Sequence, residues 1–272
     1  MTKIIAEIGW NFMGDMKLAK DMINAAKKVG ADIVKFQYWN PKRLKAGPWD
    51  TDGRKEIYES AQLNEEKIKT LMGLCESSGI DFLISAFNVV DAKFLSDLKI
   101  KSIKIPSHEV ANHDLHNFSV ENFDEIYVSL GAGTESEVLQ TIQIYEKNAG
   151  NKYWVGMHCV SSYPCPAKKA NLTRIGFIKE KWQFVGYSDH TSDVISPVVA
   201  VSLGAKVIEK HFTINKDLPG RDNKFALDVP EFEQMVKNIR ICEKALIAHG
   251  NGPMDIENDT MTSYRGRWGE NQ

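Results

Sequence analysis

Eight short apolar segments alternate with amphipathic ones, and this alternation constrains the fold of the chain more than any other feature of its sequence. The apolar segments are rich in Ile, Val and Phe, which favour β-strands, and helix-like segments with apolar residues three to four apart follow several of them. The strand-like segments are residues 4–8, 33–38, 82–85, 103–105, 125–130, 153–159, 184–187 and 207–211. The clearest helical segments are residues 18–29, 65–77, 135–147, 197–203 and 231–248.

Eight strand–helix repeats in roughly 250 residues predict an α/β fold of the (β/α)8 or TIM-barrel type, formed by residues 1–250. Glycines at positions 30, 79, 150 and 204 stand where a helix should end before the next strand. An open doubly wound sheet would also alternate, but no G-x-G-x-x-G motif follows the first strand, which makes that fold the weaker prediction. Residues 251–272 are polar with little periodicity and are expected to form an extended or partly disordered tail.

The charge balance argues against binding to nucleic acid or to a membrane. Lys and Arg total 34 and Asp and Glu total 36, giving a formal net charge of −2, with no polybasic segment. The sequence shows no signal peptide and no apolar run long enough to span a bilayer. The four cysteines form no C-x-x-C pair, so reduced thiols are expected. We therefore expect a cytoplasmic protein.

Polar residues follow nearly every predicted strand, at the end of the barrel where catalytic groups gather. Burying such residues is costly unless they are paired, so a ring of them indicates a ligand. Two lysines among several serines suit a phosphorylated anion, because Lys supplies charge and hydroxyls supply oriented hydrogen bonds. The polar residues are Glu7, Asn11, Lys35, Gln37, Ser85, Asn88, Lys104, Ser107, His108, Glu109, Ser129, His158, Ser161, Ser162, Tyr163, Ser188, Asp189, His190, Glu209 and His211.

Two of these residues, His190 and His211, end neighbouring predicted strands and lie one strand–helix repeat apart. Parallel strands that are adjacent in the barrel would present both imidazoles at the same edge. A single histidine is more often a packed or surface residue, but the pair, with Ser188, Asp189 and Glu209 beside it, predicts a metal site.

Six motifs of this chain resemble those of the sialic acid synthase family, which includes N-acetylneuraminate, legionaminate and pseudaminate synthases. The resemblance extends over nearly the whole chain and implies a metal-dependent condensation of phosphoenolpyruvate with an N-acylated hexose, such as N-acetylmannosamine, with release of phosphate. The motifs are A-E-I-G-x-N at 6–11, G-A-D-x-V-K-F-Q at 30–37, K-I-x-S-x-E at 104–109, H-C-x-S-x-Y-P at 158–164, G-Y-S-D-H-T at 186–191 and V-I-E-K-H-F-T at 207–213.

The resemblance also implies a role for individual residues. His190 and His211 would bind a divalent metal, most simply Mn²⁺, with Mg²⁺ or Co²⁺ as alternatives. The catalytic residues would be Glu109, Asp222 and Lys104, with the two carboxylates orienting sugar hydroxyls or moving a proton. Phosphoenolpyruvate would contact Lys35, Ser85, Lys104, Ser107, Ser129, Ser188 and Ser161, the last of which replaces an Asn of many relatives. The sugar would contact Gln37, Glu109, Tyr163 and Asp222.

The chain departs from the family pattern in three places. Phe12 and Met13 replace a His and a polar residue, which predicts either altered sugar contacts or packing at the barrel mouth, and Ser85-Ala86 replaces Thr-Pro. Residues 251–272 resemble the linker to an antifreeze-like domain, which in relatives supplies an arginine to the partner's active site in a homodimer. Without that domain in the chain, a separately encoded one, or Arg221, Arg265 or Arg267, is expected to replace the arginine.

Residues 40–62 form a long irregular stretch after the second strand and are interpreted as a lid over the sugar or as surface packing. Two other functions remain open. One is a Schiff-base aldolase using Lys35, Lys104 or Lys210. The other is a non-catalytic or partner-dependent barrel in surface polysaccharide biosynthesis.

Overall fold

The computed structural model describes residues 1–220 and 222–269, and these form a closed barrel of parallel strands. Over the described residues, the strands follow one another around the barrel in chain order and the last pairs with the first. They are β1 (Lys3–Gly9), β2 (Ile33–Gln37), β3 (Asp81–Ser85), β4 (Ser102–Ile105), β5 (Glu125–Ser129), β6 (Tyr153–His158), β7 (Phe184–Asp189) and β8 (Val207–His211). The predicted (β/α)8 TIM barrel is confirmed.

Helices surround the barrel, and the five predicted from the sequence match α1, α3, α6, α8 and α9. The helices of the described residues are α1 (Met16–Lys28), α2 (Arg54–Ala61), α3 (Glu65–Ser78), α4 (Val89–Asp97), α5 (His113–Asn122), α6 (Glu135–Asn148), α7 (Arg174–Lys181), α8 (Ser196–Ser202) and α9 (Val229–Ala245). Helix α2 lies within residues 40–62, so the expectation of an entirely irregular stretch there was wrong. No helix in the described ranges is both long and apolar enough to cross a membrane.

Side chains alternate between the inside and the outside of the barrel along each strand. The bottom of the interior is an apolar layer of Ile5, Ile33, Leu83, Tyr127, Val155, Met157 and Val207. Two residues further along the same strands stand Glu7, Lys35, Ser85, Ser129 and Glu209. The interior therefore changes from apolar to polar towards the carboxyl ends of the strands.

The main core lies between the barrel and the helices, and Phe12 belongs to it. The Phe12 side chain is fully buried, and its ring meets the Phe36 ring edge-to-face at 5.5 Å between centroids. The sequence left two interpretations of Phe12 open, altered sugar contacts or packing, and the structure shows packing.

After α9 ends at Ala245, the described chain continues to Gly269 in exposed short turns. Arg265 and Arg267 lie in this tail, where the Arg267 guanidinium stacks on the rings of Tyr264 and Trp268. Arg221 lies outside the described residues.

Replacing Phe12 with Ala is expected to lower the free energy of unfolding by about 3–5 kcal/mol, because the substitution leaves a cavity in a packed core. Urea unfolding followed by circular dichroism measures the change. Phe184→Ala is the matched control and should lower the free energy of unfolding by less, since Phe184 is 37% exposed. Unfolding of Phe12→Ala at the wild-type urea concentration would show that Phe12 does not support the core.

Candidate active site

A cavity of about 390 Å³ opens at the carboxyl ends of the strands, within the size range of small-molecule sites. The structure brings most of the predicted site residues into its wall. These are Lys35, Gln37, Ser85, Lys104, Ser107, Ser129, Tyr163, Ser188, His190, His211 and Asp222.

Two predicted site residues stand beside this cavity rather than in its wall, as far as the described chain defines the wall. Ser161 reaches it indirectly, because its hydroxyl lies 2.7 Å from the hydroxyl of Ser107. Glu109 sits in a short 3₁₀ turn after β4, where its Oε2 accepts a hydrogen bond of 2.7 Å from Asn112. Glu109 would have to change its side-chain conformation to touch a ligand in the cavity.

Four buried charges form a continuous chain across the cavity floor. Lys35 Nζ lies 3.1 Å from Glu7 Oε2 and 3.4 Å from Glu209 Oε1, and Lys104 Nζ lies 2.6 Å from Glu209 Oε2. We call these four residues the charge network. Hydroxyls extend it at two points: Lys35 donates to Ser85 at 3.1 Å and Ser188 donates to Glu209 at 3.1 Å.

The pKa shifts of the charge network follow from burial and pairing. Burial works against the charge of Lys35, but Glu209 and Glu7 outweigh it and raise the Lys35 pKa. Burial dominates at Lys104 and lowers its pKa despite the contact with Glu209. Burial also opposes the charge of Glu209, yet Lys104 and Lys35 bring its pKa down to about 2. Glu209 is therefore a carboxylate held between two lysines.

His190 and His211 lie side by side at the cavity rim, with ring centroids 5.9 Å apart. His190 Nδ1 lies 2.7 Å from the carbonyl oxygen of Val160, so Nδ1 donates and Nε2 keeps its lone pair. Burial, then the neighbouring His211, lower the His190 pKa to about 3, and this imidazole is neutral. His211 Nδ1 is buried without a hydrogen-bond partner among the described residues.

Two aromatic side chains border the histidine pair. The Tyr163 ring lies 4.1 Å from the His190 ring between centroids. Trp10 Nε1 donates a hydrogen bond of 2.6 Å to Asp222 Oδ2, and the same oxygen is 3.9 Å from His211 Nδ1. Asp222 thus stands between an indole donor and an imidazole and lines the cavity.

Lys210 takes a different position from the other two strand-end lysines. Its ammonium lies 2.6 Å from Asp189 Oδ2 and donates to the carbonyl oxygens of Thr191 and Asp193. These contacts are buried and lie away from the cavity wall, so Lys210 stabilises the segment after β7. Of the three lysines considered for a Schiff base, Lys35 and Lys104 face the cavity.

Sequence reasoning placed Glu7 and Glu209 in the ring of polar strand-end residues but gave neither an individual role, and it did not select Trp10. For the two carboxylates a usable signal existed, because each lies two positions after an inward-facing apolar residue of its own strand. In the barrel, Glu7 is the register partner of Lys35 on β2, and Glu209 is the register partner of Ser188 on β7. The indole of Trp10 could not be foreseen, because its partner Asp222 is 212 residues away in the chain.

Residues 22–251 match the model of the NeuB family. The chain belongs to the NeuB family. It is 35% identical over 269 residues to N,N′-diacetyllegionaminic acid synthase of Legionella pneumophila, covering 93% of this chain and 76% of that protein. It is 35% identical over 270 residues to pseudaminic acid synthase of Campylobacter jejuni, and the match covers 95% of this chain and 78% of that protein. The identity to mouse N-acetylneuraminate-9-phosphate synthase is 30% over 255 residues, and the match covers 89% of this chain and 70% of that protein.

The fold is similar to solved structures of the same kind. The crystal structure of N-acetylneuraminic acid synthetase from Leptospira borgpetersenii, in complex with citrate, matches with a TM-score of 0.86 and 28% identity over 99% of this chain and 93% of that one. Together these matches confirm the resemblance to sialic acid synthases. The chain is an enzyme of the sialic acid synthase type.

Replacing Glu209 with Gln is expected to lower the free energy of unfolding by about 3–5 kcal/mol, because two buried lysines lose a carboxylate partner. The Glu209 pKa is about 2 in the folded protein against an ordinary value of 4.5. Its stabilising contribution is therefore present above about pH 4.5 and is lost as the pH falls towards 2.

Urea unfolding of the wild type and Glu209→Gln between about pH 3 and pH 7 measures this contribution. Glu233→Gln is the matched control, since Glu233 pairs with Lys237 at an exposed position and should change stability by at most about 1 kcal/mol. A difference between wild type and Glu209→Gln that stays constant as the pH falls would contradict the assignment.

Proposed function

We propose that this enzyme joins phosphoenolpyruvate to an N-acylated hexose similar to N-acetylmannosamine, forming a nine-carbon sialic-type sugar acid and inorganic phosphate. The observation that carries the proposal is the composition of one cavity, where buried lysines and serine hydroxyls adjoin two imidazoles and a carboxylate. Three relatives named as synthases of legionaminic, pseudaminic and N-acetylneuraminic-9-phosphate products support it.

The anion end of the cavity suits a phosphorylated carboxylate. Lys35 and Lys104 are buried, and Ser85 and Ser188 reach the charge network through their hydroxyls. Ser107 and Ser129 add further hydroxyls to the same wall. Lysine point charges and oriented hydroxyls are the groups that hold phosphate oxygens in proteins.

The charge network is balanced in itself, with two lysines against two glutamates. A phosphoenolpyruvate molecule brings at least two more negative charges into this buried site. A divalent cation next to the substrate would compensate them, which supports a metal in the reaction.

The histidine pair fits a divalent metal. The Nε2 lone pair of His190 is available because Nδ1 donates to Val160, and His211 carries a buried ring nitrogen without a partner among the described residues. His190 and His211 would therefore hold the ion, and imidazole suits Mn²⁺ as well as Co²⁺. Once bound, the metal would polarise the sugar aldehyde towards attack.

The proposed reaction forms a bond between the enol carbon of phosphoenolpyruvate and the aldehyde carbon of the sugar. The aldehyde oxygen gains a proton and becomes a hydroxyl, water adds to the carbon that carries the phosphate, and phosphate leaves with the bridging oxygen. Asp222 is the better placed of the two carboxylates to orient the sugar or move this proton, because it lines the cavity whereas Glu109 stands outside its wall.

We also propose that the enzyme works as a homodimer in the cytoplasm and that an antifreeze-like domain supplies an arginine to the site. Large exposed side chains of the tail, with Ile256 90% and Trp268 79% accessible, support association with another protein surface. The cysteines, unpaired across the described residues, support a reducing compartment.

Replacing His190 or His211 with Ala is expected to weaken Mn²⁺ binding and phosphate release by more than about tenfold each, because a site with two protein ligands loses one of them. Electron paramagnetic resonance of free Mn²⁺ measures the binding, and phosphate release from phosphoenolpyruvate with a panel of N-acyl hexoses measures the reaction. His249→Ala is the matched control, since His249 is an exposed residue beyond α9.

Full Mn²⁺ binding by the double variant would place the metal elsewhere. The lowered pKa of Lys104 favours the Schiff-base alternative. That alternative predicts that activity survives a chelator. It also predicts that borohydride traps a covalent adduct between pyruvate and a lysine. Chelator-resistant activity together with a trapped lysine adduct would replace the proposed function by the aldolase.

A further inference from the structure

We propose that an aromatic wall at the cavity mouth recognises an acylamino group of the acceptor sugar and makes the enzyme select a neutral acylated sugar over a phosphorylated one. The aromatic wall consists of Trp10, Trp39, Tyr58 and Phe87. The inference rests on the proposed function, which it deepens by naming the residues that choose the sugar.

The aromatic wall is an apolar cluster separate from both cores of the barrel. Trp10, Trp39 and Ala61 are buried in it, with Tyr58 and Phe87 packed against them. Trp10 and Tyr58 lie 4.9 Å apart between ring centroids, and Trp39 lies 5.7 Å from Tyr58 and 6.3 Å from Phe87. The rings contact one another and all four line the cavity, so they form a continuous aromatic surface in its wall.

The position of the aromatic wall ties it to the sugar. It begins at Trp10, whose indole N–H is bonded to Asp222, and it continues outward to Tyr58 on helix α2. A sugar hydroxyl held by Asp222 would place the neighbouring substituents of the ring against the aromatic faces. An acetyl methyl packs well on such faces, whereas a hydroxyl or a phosphate would lose hydration there.

Trp39 adds a polar feature that an acyl group would satisfy. Its side chain is 7% exposed, and its indole N–H has no hydrogen-bond acceptor among the described residues. Buried indole N–H groups usually have an acceptor. A modest rotation of the indole would present this N–H to the carbonyl oxygen of an acylamino group lying on the aromatic wall.

The arginines at the mouth argue against a phosphate substituent. Arg43 lies 2.9 Å from Asp91 and Arg54 lies 2.7 Å from Asp52. Among the described residues, each guanidinium that lines the cavity is therefore paired with a carboxylate. A phosphorylated sugar would have to compete with these carboxylates for the same cations.

The experiment compares the acyl preference of wild type and Trp39→Phe. Phosphate release is measured with N-acetylmannosamine, with a hexose carrying two acetamido groups, with mannose and with N-acetylmannosamine 6-phosphate. Trp39→Phe keeps an aromatic ring but removes the N–H. It should raise the KM for the best acetamido sugar about threefold to tenfold while leaving the KM for phosphoenolpyruvate unchanged.

Two further variants separate recognition from folding. Phe87→Leu removes a partly exposed ring of the aromatic wall and should also reduce the preference for acetamido sugars over mannose. Phe184→Leu makes the same substitution as Phe87→Leu at a ring that is 37% exposed at the amino end of β7, away from the cavity, and should change neither KM.

The outcomes distinguish the two proposals. If no sugar of the panel gives phosphate release, the proposed function fails and the inference falls with it. If phosphate is released but both aromatic-wall variants keep the wild-type acyl preference, or if the 6-phosphate reacts faster than the neutral sugar, the inference alone is overturned.

Discussion

The charge network is the interaction on which the site depends, because it gives two buried lysines carboxylate partners on the cavity floor. Taking a lone ammonium out of water would cost several kcal/mol. Glu209 contacts both lysines. Together with Glu7 it outweighs that cost at Lys35, and at Lys104 it offsets part of it. Pairing also fixes the lysine side chains before any substrate arrives. A preorganised site of this kind does not have to rearrange when charge enters it.

The alternation of side chains along β8 separates cavity-facing positions from supporting ones. Glu209 and His211 face the cavity, whereas Lys210 between them faces outward and meets Asp189, which is its register partner on β7. Lys210 also binds backbone carbonyls on the segment that follows His190. The outward charge pair therefore anchors the segment beside one imidazole, while the inward residues of the same strand carry the charge network and the other imidazole.

Much of the barrel could be predicted from the sequence, because each strand is a local apolar run and long helices such as α1 and α9 have a clear apolar stripe. The helices α4 and α7 were not predicted; they have nine and eight residues, which gives a weak periodic signal. The seven-residue α8 was predicted, from its apolar run before Gly204. The members of the site could largely be anticipated from strand ends, but their pairing could not. Lys104 and Glu209 are 105 residues apart, and closure of the barrel alone decides that they meet.

The balance of the charge network has a consequence for how the ligands bind. Lys35 and Lys104 are already compensated by Glu7 and Glu209. A phosphorylated anion entering alone would therefore add net negative charge to a buried site, and a cation held by His190 and His211 would add net positive charge. Each ligand offsets the charge of the other, so each should raise the affinity of the other by the same factor, as linkage requires. Such coupling would disfavour a site holding the metal without the anion. It would also explain why the protein places imidazoles, rather than further carboxylates, next to the charge network.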